Sequence, residues 1–314
     1  MQLLMLREAQ EEIMDTHYDV IVVGGSFAGL SAAMQLARAR RRVLVLDGAK
    51  PRNRFAPHSH GFLGQDGKAP AAIVGEARTQ LAAYPTARIV AGEATAAQRA
   101  DDRFVVTHGD GHTASADRLI LATGLRDELP PLPGLAECWG VSVLHCPYCH
   151  GYEVADKQLG VLATHALSIH QAMLVPDWGP TTWFTQGIVV PTSDEAALLA
   201  RRNVRVEPAP VVEVLGDAPN LTGLRLADDR VIRIDALFVG PRTHMASPLA
   251  EQLGCAFDEG PMGPVIRVDD LKQTSVPGVF AAGDASTMWS NATFASAAGV
   301  AAGVSAHRSL IFGL

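Results

Sequence analysis

Two cysteines separated by two residues, with a histidine directly behind the second, form the segment Cys146-Pro147-Tyr148-Cys149-His150. Thiols at this spacing can close a small disulfide, and the first thiolate can be stabilised enough to react near neutral pH. A histidine titrates near neutrality, so His150 could accept or return a thiol proton. Far upstream, Gly24-x-Ser26-x-x-Gly29 follows a buried apolar run and opens a helical one. Such a turn lets a pyrophosphate approach backbone N–H groups at a helix N-terminus. The first glycine permits the turn, and the last lets helix and strand pack. Ser26 occupies the middle position, usually glycine; it is small enough to serve there, and its hydroxyl could add a hydrogen bond. Asp47 stands about 20 residues beyond the turn, the spacing of an acid that binds ribose hydroxyls. A lone glycine fingerprint also fits an ordinary tight turn. A dithiol beside a bound redox cofactor points to electron transfer between the two.

The elements that must position these groups follow an α/β pattern. Tyr18–Val23 and Arg42–Asp47 read as buried strands around a helix at Leu30–Ala39, a βαβ unit that starts a doubly wound sheet. Ala49–Gly67 reads as a long loop, Ala71–Ala83 as a helix, and Ala87–Ala116 as a small antiparallel hairpin region. Arg118–Gly124 is a strand entering a tight turn, and Pro130–Pro133 marks a domain crossing. A second α/β set follows: strands at Gln158–Ala163 and Thr181–Phe184, helices at Ser168–Val175 and Ala196–Arg202, a meander over Val211–Asp235, and a returning strand at Ala236–Gly240. Gly278–Asp284 is a strand ending in Gly-Asp, and Phe294–Leu310 is a helix of small residues. The expected fold is two Rossmann-like three-layer domains, the second inserted into the first. Residues 1–16 form an extension, 17–126 and 245–314 the cofactor domain, and 127–244 the inserted domain with the cysteines.

Composition narrows the partners. The chain has 314 residues, 48% of them hydrophobic, and a net charge of −7. That charge argues against nucleic acid, whose phosphates need clustered Lys and Arg. Arg38, Arg40, Arg41 and Arg42 read as a solvated helix end. No apolar run approaches the ~20 residues of a membrane span, and a cytoplasmic location is expected, where structural disulfides are rare. Cys138 and Cys255 read as incidental thiols. The histidines make no ligand pattern with the cysteines, so no metal is expected.

Three motifs in order, Gly24–Gly29, Ala122-Thr123-Gly124 and Ala282-Gly283-Asp284, resemble the flavoprotein disulfide reductases. The C-x-x-C just after the Pro-rich crossing resembles the low-molecular-weight thioredoxin reductases, over nearly the whole chain from His17 onward. This resemblance implies FAD held by Gly24, Ser26, Gly29, Asp47, Thr123, Gly124, Gly283, Asp284 and Ala295, with His60 of the loop His58–Phe62 near the flavin. It also implies Cys149 as the thiol that meets the flavin, Cys146 as the interchange thiol, and a homodimer.

The chain departs from that family in two places. A second glycine fingerprint for NADPH is expected after the strand at Gln158–Ala163, but Thr164 and Ala166 replace its glycines. No Lys or Arg lies between Lys157 and Arg201 to hold a 2′-phosphate. His150 replaces the usual Asp. The run Cys146–Glu153 resembles the flavin-dependent dithiol oxidases of the gliotoxin and holomycin type, which lack a working NADPH site and pass electrons to O₂. The expectation is a dithiol:disulfide oxidoreductase acting on a small dithiol or a thioredoxin-like protein, with O₂ as acceptor. A reductase fed by NADPH or ferredoxin and a non-enzymatic flavin-binding redox sensor are the alternatives.

Overall fold

Apolar runs bounded by turn residues set the strands, and the computed structural model describes residues 17–313. The expected extension over residues 1–16 lies outside them. By internal contacts the chain forms two units. Among the described residues the first holds 17–52, Ala72–Arg126 and 244–313; the second holds Asn53–Ala71 and Asp127–Thr243. The loop Asn53–Ala71, expected with the cofactor domain, therefore groups with the second unit.

In the first unit, β1 (His17–Val23) and β2 (Val43–Asp47) pair in parallel around α1 (Phe27–Arg38). Val20–Val22 and Val43–Leu46 are buried, because both faces of the sheet are covered. α2 (Pro70–Ala82) leads into β3 (Ala87–Ala91), which joins β2 in parallel. This corrects the expected hairpin assignment of Ala87–Ala91: a helical crossover before the strand commits it to parallel pairing. The antiparallel part is the meander β4 (Ala94–Ala100), β5 (Arg103–His108) and β6 (His112–Leu121). β6 runs on to lie parallel to β1. The chain leaves on β7 (Leu125–Glu128).

The second unit contains β8 (Val143–Leu144), α3 (Pro147–His150), β9 (Leu159–Leu162), α4 (Ser168–Leu174), β10 (Thr181–Phe184), α5 (Ser193–Arg201) and β11 (Arg205–Glu207). The meander β12 (Val211–Asp217), β13 (Asn220–Leu226), β14 (Val231–Arg233) precedes the returning β15 (Ala236–Val239). Its main sheet has the order β11-β10-β9-β15-β8 and is parallel throughout. Every residue of β9 and β15 is buried. α5 starts at a capping box in which the Thr192 hydroxyl and the Glu195 carboxylate satisfy each other's backbone N–H.

The chain returns on β16 (Arg242–Met245) and adds α6 (Leu249–Gln252) and the hairpin β17 (Phe257–Glu259), β18 (Pro264–Ile266). β19 (Val279–Ala281) then pairs in parallel with β6, and α7 (Ala292–Phe312) closes the unit. The small residues expected in this helix have a packing reason: Gly299 and Gly303 lie directly on the backbone of Ala28 and Ala32 in α1. Among the described residues, no helix is long and apolar enough to cross a membrane.

Candidate redox site and cofactor cradle

In the first unit the strand register gathers the fingerprint residues at one edge. Val23 of β1 lies opposite Leu121 of β6, which lies opposite Ala281 of β19. Three strand ends therefore stop at one level, and Gly24, Thr123–Gly124 and Gly283–Asp284 follow them. The carboxyl edge of a parallel sheet is where open α/β folds bind ligands. Gly24 has φ +109°, and a methyl there would run into the carbonyl of Ala122; one on Gly29 would run into the carbonyl of Gly24. Ser26 caps α1 without a side-chain bond to the backbone. Its hydroxyl and the first-turn N–H groups are thus not used on each other. Ala295, in the first turn of α7, is buried in the same core as Ala28 and Ala282.

Two arginines complete this cradle that the sequence reading did not find. Arg78 Nη1 donates to Asp47 Oδ2 at 2.5 Å, while Asp47 Oδ1 accepts from the Ala49 N–H at 3.0 Å. Arg52 Nη1 donates to Asp284 Oδ2 at 3.1 Å and to the Ser290 hydroxyl at 2.7 Å. Both acids are held as oriented carboxylates at the sheet edge. A glycine-lined helix N-terminus, two fixed acids and two cations suit a dinucleotide with a pyrophosphate and sugar hydroxyls.

In the second unit Cys146 and Cys149 form a disulfide, with Cα atoms 5.3 Å apart. Pro147 starts α3, and the Cys149 N–H donates to the Cys146 carbonyl at 3.2 Å. The turn is anchored on both sides. His145 Nδ1 lies 3.2 Å from the Val239 carbonyl at the end of β15, and Gln171 Nε2 of α4 donates to the His145 carbonyl at 2.6 Å. Gly151 leaves room for Trp178, whose ring would meet any methyl there at 2.7 Å. Trp178 in turn meets Tyr148 edge-on, with centroids 5.7 Å apart. Tyr148 and Tyr152 are exposed beside the disulfide.

His150 follows Cys149 and is partly buried. Burial pushes its imidazole below the ordinary value; Glu153 opposes that shift, and His60 and His145 add to it. His60, expected near the flavin by resemblance, belongs to the disulfide's unit, with Nε2 3.4 Å from Glu153 Oε1 and Nδ1 3.6 Å from Asp66 Oδ1. Despite these histidines, no group of three His, Cys, Asp or Glu among the described residues could hold a metal ion. Cys138 and Cys255 are buried free thiols whose pKa burial raises.

The turn after β9 differs from the cradle of the first unit. Thr164 Oγ1 donates to the Gly240 carbonyl at 2.5 Å, joining the carboxyl ends of the neighbouring β9 and β15. Burial pushes the adjacent His165 imidazole below its ordinary value, with the Gly240 backbone opposing. The Arg242 guanidinium nearby adds to that downward shift.

Comparison with known proteins gives this geometry a family. A family model described as pyridine nucleotide-disulphide oxidoreductase matches residues 18–166 and 193–299. The chain belongs to the pyridine nucleotide-disulphide oxidoreductase family. It is 32% identical to "Thioredoxin reductase tcpT" of Claviceps purpurea over 93% of this chain and 94% of the relative. Among solved structures, an oxidoreductase from Agrobacterium tumefaciens is 49% identical with a TM-score of 0.91, over 95% of this chain and 100% of that one. HlmI is 38% identical with a TM-score of 0.87, over 93% and 92%. The protein is therefore an oxidoreductase acting on sulfur groups, with a thioredoxin reductase-like fold, and its family implies a flavin.

Proposed function

We propose that the protein is an FAD-dependent dithiol oxidase that works without NADPH. The single observation that carries this reading is the Thr164 bond to Gly240, which ties together the strand ends where a second dinucleotide would need open backbone. The residues there do not fit a pyridine dinucleotide: Thr164 and Ala166 replace glycines, and no Lys or Arg lies between Lys157 and Arg201. The first unit's cradle does fit a flavin dinucleotide, with Gly24–Gly29 at the pyrophosphate, Asp47 at the ribose, and Thr123, Gly124, Gly283, Asp284 and Ala295 along the rest. When bound, FAD supplies a two-electron acceptor for the reduced dithiol and a route from it to O₂.

The protein residues handle the thiol chemistry. A substrate thiol gives its proton to His150, and its sulfur attacks Cys146 Sγ. The Cys146–Cys149 bond breaks, and Cys149 leaves as a thiolate. The second substrate thiol then attacks the mixed disulfide and frees Cys146. Tyr148 and Tyr152, exposed at the disulfide, offer apolar contact to a small dithiol or to a thioredoxin-like protein.

The test is anaerobic mixing of the flavin-loaded protein with dithiothreitol and, separately, with NADPH. Bleaching by dithiothreitol alone, reversed by air, is the expected outcome. Rapid bleaching by NADPH would overturn the reading. Cys149→Ser should keep its flavin and lose turnover.

A further inference from the structure

We infer that Arg52 is a positioning residue that joins the flavin-binding acid Asp284 to the segment Asn53–Ala71, and that this segment reports flavin occupancy at the disulfide turn. The inference rests on the FAD reading above and adds a link that reading does not use.

The link begins in the cofactor unit. Arg52 Nη1 donates to Asp284 Oδ2 at 3.1 Å and to the Ser290 hydroxyl at 2.7 Å. Asp284 belongs to the Gly-Asp turn after β19, and Ser290 directly precedes Asn291, the cap of α7. The Arg52 and Asp284 side chains are only 18% and 19% exposed. Such a pair resists being broken, because either partner alone would be an uncompensated buried charge. A ligand that fixes Asp284 therefore fixes Arg52 as well.

The next residue begins the other unit. The 3₁₀ turn Arg52–Phe55 is closed by the Ala56 N–H on the Asn53 carbonyl at 3.1 Å. The Arg54 guanidinium lies over the Phe55 ring, 4.2 Å from its centroid. Phe55 rests directly on Gly140: a methyl there would meet Phe55 Cβ at 2.6 Å and its carbonyl carbon at 2.9 Å. Farther along, His60 Nε2 meets Glu153 Oε1 at 3.4 Å. Gly140 comes before Cys146 and Glu153 after Cys149, so the segment holds the chain on both sides of the redox turn. Each of these contacts lies within one unit, and the peptide chain through Arg52 and Asn53 joins the two sets.

The segment is built well enough to carry such a signal. The Ser59 N–H donates to the Lys68 carbonyl at 2.8 Å, and the Gly67 N–H to the Ser59 carbonyl at 2.9 Å. The Gly61 N–H donates to Asp66 Oδ1 at 2.8 Å. Yet two of its buried polar atoms, Ser59 Oγ and Gln65 Oε1, have no hydrogen-bond partner. Buried groups of this kind cost free energy until they are paired, so the segment gains from a second arrangement that satisfies them. A ligand that fixes Arg52 biases the choice between the two arrangements, and the coupling to the disulfide turn is reciprocal.

The test is hydrogen–deuterium exchange read by mass, on the full chain stripped of flavin and again after titration with FAD to saturation. In the parent protein FAD should slow exchange about ten-fold over residues 24–30, 56–69 and 148–155. Arg52→Met, saturated with FAD, should keep the slowing over 24–30 and lose it over 56–69 and 148–155. A merely structural Arg52 would instead raise exchange equally with and without FAD. Glu153→Gln leaves Arg52 and the cradle intact; it should keep the slowing over 24–30 and 56–69 and lose it over 148–155.

Slowing over 56–69 and 148–155 in FAD-saturated Arg52→Met equal to the parent's overturns the inference. So does a parent protein that binds FAD and slows over 24–30 alone. Where Arg52→Met cannot be loaded, Glu153→Gln decides, and parent-like slowing over 148–155 in that variant overturns the link. A parent protein that takes up no FAD refutes the FAD reading itself, which separates the two failures.

Discussion

Replacing Gly299 by alanine should loosen the cofactor cradle, whereas the same replacement at Gly75 should strengthen the fold. Both glycines lie inside helices, α7 and α2, so each gains about 1 kcal/mol of helix propensity on becoming alanine. A methyl on Gly75 would meet nothing within 4 Å. The gain stands alone there, and G75A should raise the unfolding free energy by about 0.5–1 kcal/mol. A methyl on Gly299 would meet the carbonyl oxygen, carbonyl carbon and Cα of Ala28, the last two at 2.8 and 2.9 Å. All three are backbone atoms of α1, so no side-chain rotation relieves the contact. The helices must part by at least about 0.7 Å to bring the carbonyl carbon to a normal separation of about 3.5 Å, and further to clear the nearer carbonyl oxygen. Overpacking of this kind costs about 1–3 kcal/mol, and contact with rigid backbone selects the upper half of that range. After the propensity gain, G299A should lose roughly 1–2 kcal/mol. The displaced residue is next to Gly29, so flavin retention should fall too, about ten-fold for each 1.4 kcal/mol of binding withdrawn. Urea unfolding followed by circular dichroism and flavin release followed by fluorescence read the two effects. If G299A matched G75A in both, close packing of α7 on α1 would not be what holds the cradle.

Two other outcomes follow from the charged groups. Arg78→Met removes the cation that orients Asp47 and should raise the FAD dissociation constant about ten-fold, near 1.4 kcal/mol; equilibrium titration of the apoprotein checks this, and an unchanged constant would separate Asp47 from flavin binding. The pKa of His150 is held below its ordinary 6.5, chiefly by burial, so the neutral base persists into mildly acidic solution. Dithiol-driven disulfide reduction should then hold its rate on acidification through 6.5 and fall only at lower pH. His150→Gln should remove that limb and slow the step about 10²–10⁴-fold; stopped-flow traces showing the same limb in the variant would assign it to another group.

Much of the fold was legible because its strands are continuous apolar runs bounded by turn residues. Thr181–Phe184 was read to the residue, and β1, α1 and β2 to within a few. Ala87–Ala91 was misread because a short half-buried strand carries no record of its partner; its parallel pairing comes from α2 ahead of it. The cysteines, His150 and the first fingerprint were legible because local spacing carries their chemistry. Arg78 and Arg52 were not: they meet Asp47 and Asp284 across 31 and 232 residues, and neither sits in a motif. The segment Ala49–Gly67 read as a long loop, but its internal order did not show: it holds a 3₁₀ turn at Arg52–Phe55 and the Asp66-closed turn that carries His60. Side chain to backbone bonds of this kind leave no periodic trace.

The second unit keeps a parallel sheet of the dinucleotide-binding type, and the disulfide turn is anchored on it. β15 ends beside His145 through the Val239 carbonyl, α4 reaches the same residue through Gln171, and Trp178 packs against Gly151. Each of these contacts fixes the four-residue turn that carries the two sulfurs. Thr164 gives the Gly240 carbonyl a hydrogen-bond partner and so ties together the ends of β9 and β15, the strands beside the redox turn. A phosphate site needs open backbone at those strand ends, and a rigid support for a reactive disulfide does not.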